Sequence, residues 1–103
     1  MDNQLSKILL DAILEQEPFM EEPLDLSSGD NAELYSETGQ LDSLSLITII
    51  STVEKKLFLL TGEKVKLANE QDLSFLNSPF KTFGSMLGFI KRKVYSNDNA
   101  LMN

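Results

Sequence analysis

The segment from Asp42 to Gly62 constrains this chain more than any other. Leu46, Ile49, Ile50, Val53, Leu57 and Leu60 recur at i, i+3, i+4, i+7, i+11 and i+14. That spacing gathers apolar side chains on one face of a helix. The run Ile47-Thr48-Ile49-Ile50 is β-branched throughout, and taken alone it reads equally well as a strand. The longer period decides for a helix over 43–60, with Leu44 and Ile47 widening the apolar face near its start. Thr61-Gly62 ends it, with glycine at the position where left-handed backbone is usual after a helix.

A helix this apolar on one face needs partners, and the rest of the chain supplies them. Leu5, Ile8, Leu9, Ala12 and Ile13 follow the same helical spacing, which predicts a first helix over 3–16, ended with help from Pro18. Phe83, Leu87, Ile90 and Val94, preceded by Phe80, predict a last helix over 82–94 with Thr82 as its N-cap. Gly84 and Gly88 each cost about 1 kcal/mol relative to alanine inside a helix. They imply close approach to another element or a loose helix. Asn69 can cap a minor helix through Leu76, and Val65–Leu67 reads as extended.

Residues 17–41 lack periodicity and are punctuated by Pro18, Pro23, Gly29 and Gly39. A loop of this length is unusual in a compact domain and is often functional. Phe19, Leu24, Leu26, Leu34 and Tyr35 are its expected anchors, and a short helical turn is expected around Asn31–Tyr35. The fold class implied is all-α: a small antiparallel bundle of three to four helices with a long first loop. The domain is expected over 1–95, followed by a frayed polar tail over 96–103.

What the chain lacks narrows its chemistry. It has 103 residues, with no cysteine and no histidine. Disulfides, thiolate nucleophiles, Ser-His-Asp and Cys-His catalysis, and zinc sites built on Cys and His are all excluded within it. Carboxylates, lysines and hydroxyls remain, and no pair of acids is arranged for catalysis. An enzyme is therefore not expected.

Charge is uneven. The first 54 residues carry a net −11 and the remainder a net +4, within a total of −7. The acidic half repels a phosphate backbone, so nucleic acid is not an expected partner. Lys91-Arg92-Lys93 reads as cations at a helix C-terminus. No run approaches a membrane span, and no basic leader opens the chain, so a cytoplasmic monomer is the expectation.

Against this background Asp42-Ser43 stands out. It lies at the start of the apolar helix, where free N–H groups and the helix dipole favour a phosphate. Aspartate and serine are also ordinary N-cap residues, and the sequence leaves both readings open.

Four features together resemble the acyl carrier proteins. They are Leu41-Asp42-Ser43-Leu44 at a helix start, the pattern from Leu46 to Leu57 that follows it, the order of helices and long loop, and Phe80-Lys81-Thr82-Phe83-Gly84-Ser85-Met86-Leu87. The resemblance covers residues 3–95. It implies that Ser43 receives 4′-phosphopantetheine from coenzyme A through a phosphopantetheinyl transferase. The arm then holds acyl or aminoacyl groups as thioesters for partner enzymes. Asp42 would support the motif, through a metal ion shared with the transferase, or serve only as a cap. Leu44 would face partners, or else the core.

The chain departs from the family in one respect. The exposed face of the motif helix, acidic in fatty-acid carriers, here reads Ser45, Thr48, Ser51, Thr52, Glu54, Lys55 and Lys56. Only Glu54 remains as an acidic partner contact, which weakens or redirects steering by opposite charge. This implies a specialised carrier served by its own acyl- or aminoacyl-activating ligase. The long Thr61–Pro79 insert resembles segments of stand-alone carriers found beside such enzymes. The competing reading is a helical protein-interaction module with no prosthetic group, in which Ser43 is a cap.

Overall fold

The computed structural model describes residues 2–20, 24–36, 39–67 and 78–102. Three helices dominate: α1 (Asp2–Gln16), α2 (Ser43–Thr61) and α3 (Phe83–Met102). The expected stripe on α1 holds, with Leu5, Leu9, Ala12 and Ile13 buried and Ile8 partly so. Pro18 follows in a single 3-10 turn, Glu17–Phe19. The minor helix expected over 69–76 lies outside the described residues.

On α2, Leu46, Ile49, Ile50, Val53 and Leu57 are buried. Leu60 was expected on the same face but is 43 % exposed. It sits in the last turn of α2. Gly62 then adopts φ 76° and its N–H donates to the carbonyl of Phe58 at 2.8 Å. This is the left-handed cap that an L side chain adopts only with strain.

The expected face of α3 packs on the core, with the preceding Phe80, Ile90 and Val94 buried and Phe83 and Leu87 packed partly buried against it. Met86 is buried with them. The backbone of α3 stays helical through Met102, past the end expected at Val94. Both α2 and α3 pack on α1, and the Glu15–Lys56 ion pair at 2.7 Å joins α1 to α2. The architecture is helix on helix, and no helix among the described residues is long and apolar enough to cross a membrane.

The first loop is built differently from the expectation. No helical turn forms over Asn31–Tyr35. A 3-10 turn comes earlier, at Gly29–Asn31, and the chain then runs extended beside residues 80–83. Leu34 N–H donates to Lys81 O at 2.7 Å, Tyr35 N–H to Phe80 O at 3.1 Å, and Phe83 N–H to Ala32 O at 2.9 Å. Backbone groups beside a buried apolar run need partners, and a strand-like neighbour supplies them. Leu24, Leu34 and Tyr35 anchor the loop as expected, but Phe19 is 82 % exposed.

The 3-10 turn lies against α3 because residue 84 is glycine. A Cβ at Gly84 would stand 2.8 Å from Asp30 Cβ and 3.0 Å from Asp30 O. Close approach is thus the reason for this glycine. Below it, the fully buried Phe80 meets Phe89 edge to face, with ring centroids 5.3 Å apart.

Candidate functional site

Asp42, Ser43 and Leu44 are brought together at the exposed start of α2. The two cap-type residues have separate roles. Asp42 is the N-cap, in extended conformation, and its Oδ1 accepts from the Ser45 backbone N–H at 2.7 Å. The Ser45 N–H, and after it the Ser45 hydroxyl, holds the Asp42 carboxyl below its usual value of 3.8. The carboxylate is therefore ionised and committed to the helix start.

Ser43 is the first helical residue. It is exposed, and among the described residues its hydroxyl has no hydrogen-bond partner. It stands at the positive end of the α2 dipole, beside the Asp42 carboxylate that takes the Ser45 N–H.

Leu44 is 73 % exposed, so it does not belong to the core. One turn on, Ile47 is 43 % exposed. An apolar ridge therefore flanks the serine.

Glu54 lies apart from this group, about 16 Å further along the helix at 1.5 Å per residue. Its Oε2 accepts from the backbone N–H of Leu67 at 2.8 Å. The residue expected as an acidic partner contact thus holds the segment after α2, and that carboxylate oxygen is already engaged.

A side-chain clasp at Gln40 leads the chain into the site. Gln40 reaches back with its side-chain amide, donating to Asp25 O at 3.0 Å and to Glu33 O at 2.9 Å, and accepts from the Asp25 N–H. Leu41 is buried, and its N–H donates to Leu34 O at 2.8 Å. These bonds fix the chain immediately before Asp42. A glutamine in a polar loop carries no periodic signal, so only the folded backbone reveals its partners.

Comparison with known protein families, curated proteins and solved structures finds no match to this chain.

Proposed function

We propose that this chain is a carrier that holds an acyl or aminoacyl group as a thioester. The group would ride on a 4′-phosphopantetheine arm joined to Ser43 through a phosphodiester. The observation that carries the reading is the division of labour at the start of α2. Asp42 performs the capping, which leaves Ser43 exposed with a free hydroxyl. A serine needed to cap the helix would have that oxygen occupied.

The residues fit the group. The Ser43 Oγ is the attachment atom and is open to a transferase. The first turn of α2 offers a positive dipole end to the phosphate. Asp42 is held by Ser45 and does not compete for the serine. The arm, when bound, supplies the thiol that a chain without cysteine lacks. Leu44 and Ile47 provide an apolar contact for the enzymes that load and unload the arm. These would be a phosphopantetheinyl transferase and an activating ligase of a specialised pathway.

The exposure of Leu44, Ile47, Phe58 and Leu59 also favours a second reading, a helical interaction module without a prosthetic group. Intact-mass measurement separates the two. Incubated with coenzyme A and a broad-specificity transferase, the chain is expected to gain the mass of one phosphopantetheine. Ser43→Ala is expected to gain none, and Ser45→Ala to gain it normally. No gain in the parent chain, or an equal gain in Ser43→Ala, defeats the carrier reading at this residue.

A further inference from the structure

A second feature lies on the same side of α2, towards its C-terminal end. Ser51, Glu54, Lys55, Phe58, Lys64, Val65 and Lys66 line a cleft of about 420 Å³. Phe58 is 44 % exposed and Val65 is buried, so the floor is apolar. Lys55, Lys64 and Lys66 are exposed around it. The single carboxylate of the lining, Glu54, accepts from the Leu67 N–H.

Among the described residues none of these three lysines has an ion-pair partner, whereas Lys56 is paired with Glu15. The cleft is thus a basic, half-apolar hollow on a protein of net charge −7. Unpaired like charges around an apolar floor are unfavourable until an anionic group approaches, and they then favour it.

We infer that this cleft is the docking site for an acidic segment of a partner protein. One apolar side chain of the partner lies over Phe58 and Val65, and its flanking carboxylates meet Lys55, Lys64 and Lys66. Charge complementarity selects this occupant. A long polyanion such as nucleic acid would also meet the field of the first 54 residues, which carry a net −11, and would be repelled. A short acidic segment feels mainly the lysines within one screening length, about 10 Å at moderate salt.

The geometry also gives the docked segment a direction. Leu44, Ile47, Ser51, Lys55 and Phe58 fall on one stripe of α2 by helical spacing, and all are exposed. A partner seated in the cleft can therefore extend along the helix to the apolar ridge beside Ser43. The inference does not depend on what Ser43 carries.

The test is a titration of the full, unmodified, 15N-labelled chain with a synthetic peptide of glutamates flanking a single leucine. Amide shifts are expected at Lys55, Phe58, Lys64, Val65 and Lys66. Affinity is expected to fall with added salt and to fall about tenfold or more in the double variant Lys55→Glu, Lys64→Glu. Both lysines are exposed, and the variant's own spectrum reports that the fold is kept. A peptide with glycine in place of leucine is expected to bind more weakly.

Absent shifts at these amides, or equal affinity in the double variant, overturns the inference. Tighter binding of a polynucleotide than of the peptide overturns it in favour of nucleic acid. Shifts at the same amides on concentrating the chain alone overturn it in favour of a second copy.

Discussion

Two helix starts in this molecule carry serine in the first turn, and Ser85 of α3 and Ser43 of α2 are used in opposite ways. At α3 the hydroxyl is consumed. Thr82 Oγ1 accepts from the Ser85 N–H at 3.1 Å, and Ser85 Oγ accepts from the Thr82 N–H at 3.1 Å. The Ser85 hydroxyl also lies 2.9 Å from Pro79 O. This is a reciprocal box in which serine replaces the usual Glu or Gln. At α2 the capping is done by Asp42 alone, and Ser43 is left over. A serine near a helix start is therefore uninformative until its bonds are known. The start of α3 spends its serine on stability, and the start of α2 leaves the Ser43 hydroxyl unbonded among the described residues.

The largest contrast concerns modification. Ser43→Ala is expected to abolish phosphopantetheine transfer while leaving thermal stability within about 0.5 kcal/mol, as for a surface position without partners. If its melting temperature falls as far as that of a core variant, Ser43 has a structural role and the contrast collapses.

Next in size is the packing beneath the start of α3. Gly84→Ala is expected to destabilise the fold by about 1–2 kcal/mol, because the clash with Asp30 outweighs the gain in helix propensity. Gly88 has open space where its Cβ would stand. Gly88→Ala is expected to stabilise by up to about 1 kcal/mol. Denaturant midpoints that move the same way for both would show that α3 does not rest on the 3-10 turn as described.

Smaller again is the loss of the hydroxyl itself. Ser85→Ala is expected to cost about 0.5–1.5 kcal/mol through its lost bonds and to leave transfer to Ser43 intact. A variant that instead loses transfer while keeping its stability would reverse the roles of the two serines.

The smallest effect distinguishes the caps by acid. The folded Asp42 carboxyl lies below its unfolded value of 3.8, held there first by the Ser45 N–H. Its contribution is fully present above the unfolded value and fades as pH falls through the lower folded value. The Thr82–Ser85 box contains no titrating group. Under acid the Ser45 amide is expected to lose hydrogen-exchange protection before the Ser85 amide, and Asp42→Asn to remove that difference. Simultaneous loss at both sites argues for global unfolding instead.

The legible part of the fold is the part encoded locally. The bounds of α1 and α2 follow from unbroken apolar periods, and the cap at Thr82 from its residue type. The stretch from Ala32 to Tyr35 misleads because its partners, Phe80 to Phe83, are distant in sequence, and local propensity says nothing of them. Leu60 and Phe19 mislead for a related reason: apolar character predicts burial only where another element arrives to cover it. At the site, the spacing places Asp42 and Ser43 correctly at a helix start. It does not say which of them caps, because both residue types are suited to it. Glu54 looks like a free surface acid until its bond to the Leu67 N–H is seen.

The pairing of Leu34 with Lys81 closes a loop that contains the whole of α2. Closing a loop of that length costs roughly 3 kcal/mol of chain entropy beyond a length-independent constant. The same Leu34 accepts, through its carbonyl, the N–H of Leu41, next to the cap of α2. The setting of Ser43 is thus tied to the far end of the chain. A nascent chain that ends before Phe80 would lack the carbonyls that hold Leu34 and Tyr35, so the approach to Asp42 is set only once Phe80 and Lys81 have been made.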